Sequence, residues 1–120
     1  MRALVVDDSR AMRLILAKIV QGLGMDVSEA ENGEVALRAL ADDPDLVLVD
    51  WNMPVMSGLE FVVAARGAQY AYPGRILLVT AETEQDHVVT ALEAGADEYL
   101  MKPFDDEAVV EKLRLLDLIP

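Results

Sequence analysis

The stretch Leu46–Gly58, LVLVDWNMPVMSG, decides how the rest of the chain is interpreted. Its four apolar residues Leu46–Val49 end abruptly at the carboxylate of Asp50, and a proline-containing turn follows. A short run rich in valine and leucine and bounded by turn residues is typical of a strand that is buried on both faces. Because an unpaired carboxylate is costly at the exit of such a strand, Asp50 either caps the next helix or belongs to a functional site.

The composition excludes several classes of functional site. The 120 residues include no cysteine and one histidine, which excludes disulfides, thiolate metal sites and multi-histidine metal sites. A formal net charge of −12 argues against binding to nucleic acid or anionic membranes and is compatible with a basic protein partner or bound cations. No stretch is apolar for long enough to be a signal peptide or a membrane span. We therefore expect a cytoplasmic, monomeric protein with one domain, residues 1–120.

Apolar runs alternate with segments of helical periodicity along the whole chain. The predicted strands are Arg2–Val6, Asp26–Ala30, Asp45–Val49, Arg75–Val79 and Glu98–Met101, and the predicted helices are Ser9–Gly24, Glu34–Ala41, Gly58–Arg66, Thr83–Ala94 and Asp105–Leu116. Five such strand–helix units predict an α/β fold with a parallel sheet between two layers of helices. The second and fifth strands are mixed in polarity and suit the sheet edges. This is consistent with the strand order 2-1-3-4-5 of a flavodoxin-like (βα)5 three-layer sandwich.

The helical periodicity also predicts which side chains face the sheet. The expected buried residues of the third and fourth helices are Leu59, Val62, Val63, Val88, Val89 and Leu92. His87, in the fourth helix, is expected to be a solvated residue without a partner. Trp51 is expected to lie at the rim of any site around Asp50.

Chemically useful side chains follow four of the predicted strands. They are Asp7 and Asp8, Asp50, Thr80 and Lys102. In such sheets ligands bind beyond the carboxyl ends of the strands, so these groups should converge on one crevice. Gathered carboxylates repel one another and raise the pKa of at least one member unless a cation enters. Ligands that are all oxygens, with room for water, suit Mg²⁺.

Formal charge then predicts the chemistry of this crevice. The charges of three carboxylates are balanced by Mg²⁺ together with the Lys102 ammonium, and an uncharged site can accept a phosphoryl group. A carboxylate is a phosphoryl acceptor. The metal and the lysine would neutralise the phosphoryl oxygens, while Thr80 would donate a hydrogen bond to one of them. Asp50 is the predicted acceptor because it stands alone on a central strand, and Asp7 and Asp8 are the predicted metal ligands. Asp8 is also a candidate cap of the first helix.

Four segments, VVDDS, LVLVDWNMPVMSG, LLVTAE and YLMKPF, resemble the signature segments of bacterial response-regulator receiver domains. The resemblance covers nearly the whole chain and is nearest to the single-domain chemotaxis type (CheY-like). It implies that Asp50 is the phosphoacceptor. It also implies that Asp8 ligates Mg²⁺ directly and Asp7 through water, and that the backbone carbonyl of Asn52 completes the protein ligands.

The same resemblance implies a switch and a way to reset it. Thr80 and Lys102 would contact the phosphoryl group, and the Lys102–Pro103 bond would be cis. As Thr80 moves toward the phosphoryl group, the ring of Tyr99 could turn inward and change the surface. Asn52 and Glu82, each two positions after a site residue, would tune hydrolysis and give a short-lived phosphoryl state.

Together these expectations describe a phosphorylation-activated signalling switch of a two-component system, which autodephosphorylates and is not a multiple-turnover enzyme. A histidine kinase or a histidine phosphotransferase would supply the phosphoryl group. A protein partner would bind the face built from the fourth helix, the fifth strand and the fifth helix. The acidic residues expected on this face favour a basic partner; they are Glu84, Asp86, Glu93, Asp97 and Glu98.

Three alternatives stay open. Within the same class, the chain could be a phosphorelay shuttle that passes the phosphoryl group to another histidine. A Mg²⁺-dependent phosphatase of the haloacid-dehalogenase type also uses an aspartate nucleophile, but it needs a second acid two positions later, where this chain has Asn52. A flavin-binding flavodoxin relative is disfavoured because the first strand ends in acids instead of a phosphate-binding glycine loop.

Overall fold

A parallel sheet of five strands in the order β2-β1-β3-β4-β5 forms the centre of the computed structural model, which describes residues 1–81 and 86–120. The strands are β1 (Arg2–Val6), β2 (Asp26–Ala30), β3 (Leu46–Asp50), β4 (Arg75–Ala81) and β5 (Glu98–Lys102). The helices are α1 (Arg10–Gly22), α2 (Gly33–Ala39), α3 (Gly58–Arg66), α4 (Asp86–Ala94) and α5 (Asp106–Leu115), and a 3₁₀ turn, Leu40–Asp42, follows α2. The predicted fold class and strand order are confirmed. Within the described residues no helix is long and apolar enough to cross a membrane.

Two hydrophobic clusters cover the two faces of the sheet. One cluster joins Val6 and its neighbours to α2, α3 and α4 and includes the fully buried Phe61. The other joins Val5 and its neighbours to α1 and α5, including Leu16 and Leu113. Because Val5 and Val6 face opposite clusters, β1 is buried on both sides, as its unbroken apolar run predicts.

The strands continue further than the sequence predicts. β3 includes Asp50, which pairs in register with Val79, and β4 and β5 extend to the pair formed by Ala81 and Lys102. The parallel ladder does not stop where the apolar run stops, since its hydrogen bonds are made by the backbone. Asp50 and Lys102 are therefore held by strands and not by loops.

Polar caps fix where the helices begin. The Ser9 hydroxyl accepts from the backbone N–H of Met12 at 3.2 Å, so Ser9 and not Asp8 caps α1. Asp8 is thereby left to the site. At α3, Ser57 and Glu60 form a reciprocal capping box.

The predicted buried faces of α3 and α4 are partly wrong. Val62 and Val88 are buried as expected, but Val63 and Val89 are 56% and 60% exposed. Leu92 is also exposed, and Leu59 is half-buried. The positions that pack closest are occupied by Phe61, Ala65 and Ala91, all fully buried. Small alanines allow these helices to approach their neighbours closely, so the size of an apolar side chain is a poor guide to its burial here.

A polar network joins the amino ends of the last three strands. Arg66 donates to the backbone carbonyls of Tyr72 (2.6 Å), Gly74 (2.8 Å) and Gly95 (2.9 Å). It also donates to the carboxylate of Asp97 at 2.8 Å. We call Arg66, Tyr72, Asp97 and the backbone groups that they contact the amino-edge network.

The remaining groups of the amino-edge network are also paired. Asp97 accepts from the backbone N–H of Ile76 at 2.9 Å, and Arg75 lies 3.5 Å from its other oxygen. The buried Tyr72 hydroxyl donates to the carbonyl of Pro44 at 2.6 Å. Burial raises the pKa of Tyr72 well above its usual value.

Candidate functional site

Three carboxylates meet at the carboxyl edge of the sheet. Asp7 and Asp8 follow β1, and Asp50 ends the neighbouring strand β3. One oxygen from each of the three lies within 4.8 Å of the others. Asp7 and Asp50 are buried, at 2% and 6% exposure, and Asp8 is exposed. The structure thus brings together the three acids that the sequence assigns to one crevice.

Asp7 is held firmly but only half of its carboxylate is satisfied. One oxygen accepts from the backbone N–H of Ser9 at 2.8 Å, and Arg13 donates to the Asp7 carbonyl at 2.6 Å. The other oxygen, Oδ2, is buried and has no hydrogen-bond partner among the described residues. Burial raises the pKa of Asp7, although the Ser9 hydrogen bond and Lys102 oppose the rise. Such an orphaned oxygen costs about 1–3 kcal/mol, so it points to a ligand.

Among the residues that the structure describes, Asp50 has one cationic partner. Lys102 Nζ donates to Asp50 Oδ1 at 3.0 Å, where the side chains are 29% and 8% exposed. Burial raises the pKa of Asp50 to about 6, and this rise persists although the hydrogen bond from Lys102 lowers it. The charge of Asp7 raises it further. One ammonium therefore does not balance the three carboxylates.

The donor set fits a hard divalent cation. The clustered atoms are all carboxylate oxygens, and the buried Asp7 Oδ2 lacks a partner within the described chain. Oxygen ligands of this kind, completed by water, are those that Mg²⁺ takes in proteins.

The backbone around Asp50 is fixed from two sides. The N–H of Trp51 donates to the carbonyl of Val79 at 2.9 Å, and the N–H of Gly58 donates to the carbonyl of Trp51 at 2.8 Å. A Cβ at Gly58 would stand 2.5 Å from the Asp50 carbonyl oxygen, so only glycine fits this approach of α3. Between these anchors Asn52 is exposed, and exposed Val55 adopts a left-handed conformation with φ of 71°.

Thr80 and Tyr99 lie on the two strands next to this site. Thr80 is buried and directly follows Val79, the register partner of Asp50. Its hydroxyl makes a long contact of 3.5 Å to the carbonyl of Ala81. Tyr99 is half-buried and lies against the cluster on the α2–α4 face. The Lys102–Pro103 bond is cis, as the resemblance implies.

Lys112, which the sequence does not single out, contacts the ring of Tyr99. Lys112 Nζ lies 4.2 Å from the centre of the Tyr99 ring and 3.1 Å from a carboxylate oxygen of Glu98. Beside the ring is a cavity of about 280 Å³ lined by Val88, Val89, Tyr99 and Met101. Lys112 follows no strand, and no sequence pattern distinguishes it from a lysine that stabilises the end of a helix.

The acidic face predicted for α4, β5 and α5 needs correction. Asp97 belongs to the amino-edge network, and Glu98 is paired with Lys112. Asp86 and Glu93 stay exposed on α4. Glu82 and Glu84 lie outside the described residues. Two of the acids expected to attract a basic partner are therefore already paired within the chain.

His87 does have a partner, contrary to the sequence prediction. Its ring stacks on Trp51 with a centroid separation of 4.5 Å and an interplanar angle of 14°. Trp51 is half-buried and His87 is exposed. The two residues are far apart along the chain, so their spacing does not predict this contact.

The sequence does contain a signal for the cap at Ser9, since a serine directly before an amphipathic run is a preferred helix start.

Comparisons with known proteins agree with this geometry. A family model described as the response regulator receiver domain matches residues 3–114. A chemotaxis protein CheY homolog of Campylobacter jejuni is 42% identical over 116 residues, which cover 94% of this chain and 89% of that protein. Chemotaxis protein CheY1 of Helicobacter pylori is 40% identical over 119 residues, covering 97% and 96%. The structure of chemotaxis response regulator CheY4 of Vibrio cholerae is similar with a TM-score of 0.87 at 34% identity, covering 96% and 97%.

Proposed function

Because the chain belongs to the family of response-regulator receiver domains, we propose that it is a phosphorylation-activated switch whose acceptor is Asp50. The single observation that carries this proposal is the contact of 3.0 Å between Lys102 and Asp50 inside a cluster of three carboxylates. A basic group held beside a buried acid among other acids is suited to a ligand that carries negative oxygens and arrives with a cation.

Asp7, Asp8, Asp50 and the backbone carbonyl of Asn52 would hold Mg²⁺. When bound, the ion supplies the positive charge that lets negative phosphoryl oxygens approach the acids. The orphaned Oδ2 of Asp7 would be satisfied through a water of the ion. Asp8, the exposed member of the three, would be a direct ligand.

The side chains of this protein carry the transfer itself. A carboxylate oxygen of Asp50 forms the new P–O bond as the bond from phosphorus to the donor's imidazole nitrogen breaks, and the imidazole leaves with that electron pair. The Lys102 ammonium moves from Asp50 Oδ1 to a phosphoryl oxygen, and the Thr80 hydroxyl donates to another. Hydrolysis later returns the carboxylate, with Asn52 and Glu82 orienting the attacking water.

The output would be a protein–protein contact at the face of α4, β5 and α5. Movement of Thr80 toward the phosphoryl group would let the Tyr99 ring turn into the neighbouring cavity. Lys112 would then lose its contact with the ring and keep its ion pair with Glu98, which would change the surface offered to a partner. The relatives named above are chemotaxis proteins, so we propose a chemotaxis-type regulator, acting as a monomer, with a histidine kinase or a histidine phosphotransferase as donor.

Intact mass spectrometry tests the acceptor. With Mg²⁺ and acetyl phosphate, we expect the wild type to gain one phosphoryl group of about 80 Da on a side-chain carboxylate. Asp50→Asn should gain none, and Asp26→Asn, a matched change of an exposed acid on β2, should behave as the wild type. The same adduct on Asp50→Asn, or equal labelling in EDTA, would refute the proposal.

The alternatives differ in stoichiometry. A phosphatase of the haloacid-dehalogenase type would turn over a small phosphate ester many times, but the family match and Asn52 at the position of its second acid favour a single event. A phosphorelay shuttle would pass the label from Asp50 to a histidine phosphotransferase. We expect the label to leave as inorganic phosphate instead.

A further inference from the structure

We infer that the stacked rings of Trp51 and His87 connect the acceptor strand to α4 by a second route, independent of Thr80 and Tyr99. His87 is a positioning residue in this arrangement, because it acts through Trp51 and not on the phosphoryl group. The inference rests on the proposed function in two respects, namely that Asp50 is the acceptor and that the Asn52 carbonyl is a ligand of the cation.

One end of this connection is rigid. Trp51 directly follows Asp50, and its backbone is bound to Val79 on β4 and to Gly58 at the start of α3. Its ring packs against the hydrophobic cluster on the α2–α4 face. The Trp51 ring is therefore tied both to the backbone of Asp50 and to the core on this face.

The other end is α4, which has a small buried face. Within the described residues, α4 buries Val88 and Ala91, while Val89 is 60% exposed. Along the chain, α4 follows β4 through residues 82–85, which lie outside the described part. Beside this small buried face, the contact from His87 to Trp51 ties the first turn of α4 to the residue after Asp50. Stacked aromatic pairs change a local opening equilibrium by a factor of about 2–10.

The position of the stack makes it sensitive to the ligand. The residue after Trp51 is Asn52, whose carbonyl is a proposed ligand of the cation. A cation held by this carbonyl would act on the residue directly after Trp51, so its binding would reach the Trp51 ring through the backbone. The stack then moves or releases α4 even when the Tyr99 ring is absent.

Hydrogen exchange of residues 86–94 tests the resting state. His87→Ala should raise their exchange rates about 2–10-fold without Mg²⁺. His87→Phe, which keeps the stack, should restore the wild-type rates, and Thr90→Ala, a change at an exposed residue of the same helix, should leave them unaltered. The inference is overturned if His87→Ala exchanges like the wild type, or if His87→Phe fails to rescue it.

Beryllofluoride with Mg²⁺, a stable mimic of the phosphoryl group, tests the independence of the route. In Tyr99→Ala we expect the exchange of residues 86–94 and the Trp51 fluorescence still to respond to the mimic. In Tyr99→Ala with His87→Ala the exchange response should vanish. A full response in the double variant overturns the inference. If the wild type does not respond to the mimic and Asp50 gains no phosphoryl group from acetyl phosphate, the proposed function is refuted. The exchange rates measured without Mg²⁺ still show whether the stack stabilises α4.

Discussion

The charged side chains at the two edges of the sheet are paired to very different extents. At the amino edge, Arg66 makes four hydrogen bonds and Asp97 is bonded to Arg66 and to a backbone N–H. At the carboxyl edge, one lysine faces three acids and a buried oxygen of Asp7 has no partner in the described chain. Polar groups that are fully paired support the fold, whereas those left unpaired are available to a ligand. The paired groups at the amino edge thus stabilise the fold, and the unpaired groups at the carboxyl edge are the candidates for binding a ligand.

The largest effect should come from removing the centre of the amino-edge network. Arg66→Ala leaves three carbonyls and the Asp97 carboxylate without this donor, and we expect a loss of about 3 kcal/mol in the free energy of unfolding. Urea unfolding measures it. Arg75→Ala is the control, since Arg75 is 48% exposed and 3.5 Å from Asp97, and should cost under about 1 kcal/mol. Equal losses of stability in Arg66→Ala and Arg75→Ala would contradict the role assigned to Arg66.

Neutralising an acid should change the free energy of unfolding in opposite directions at the two edges. Asp50→Asn removes a buried charge that its neighbours repel, so in EDTA we expect the free energy of unfolding to rise by about 1–2 kcal/mol. Asp97→Asn should lower it by about 1–3 kcal/mol, since a paired acid is lost. Added Mg²⁺ should raise the thermal midpoint of the wild type and not that of Asp50→Asn. Two changes of the same sign in EDTA would contradict the assignment.

Backbone strain at the carboxyl edge should be releasable. Val55 is 69% exposed and adopts φ of 71°, which is unfavourable for a β-branched residue. Val55→Asn should raise the free energy of unfolding by about 1 kcal/mol, because asparagine tolerates this conformation. Val63→Asn, at an exposed valine inside α3, provides the control and should not stabilise. A loss at Val55 in chemical denaturation would show that the side chain contributes to packing.

The smallest effect concerns one hydroxyl of the amino-edge network. Tyr72→Phe removes the donor to the Pro44 carbonyl and should cost about 1 kcal/mol near neutral pH. Because burial raises the pKa of Tyr72, the unfolded chain ionises first, and the wild type loses stability as the pH rises above about 10. The difference in the free energy of unfolding between the variant and the wild type should therefore become smaller at alkaline pH. Unfolding measured from pH 7 to 11, with Tyr70→Phe as the control at an exposed tyrosine, checks this.

The sequence predicts the fold well because its main signals are local. Apolar runs and helical periodicity give the five strand–helix units, and the acids after β1 and β3 indicate the edge where they meet. It fails where the outcome depends on close packing, as when Ala91 is buried and Val89 is exposed.

The sequence also fails to predict pairs that are distant along the chain. The stack of His87 on Trp51 and the contact of Lys112 with Tyr99 join residues that no periodicity relates. Asp97 was expected on an output face because an exposed acid and a paired acid look identical in a sequence. Only tertiary structure decides which of them has a partner.

The tight approach of Gly58 to the Asp50 carbonyl has a practical consequence. Since α3 starts against the backbone of Asp50 and is bonded to Trp51, its first turn is tied to the end of β3. Its outward face, with exposed Glu60 and Val63, is thus a suitable attachment site for a label. A dye or a fused reporter attached there would stay close to Asp50, the proposed acceptor, and a second label on α4 would report any change in the distance between the two helices.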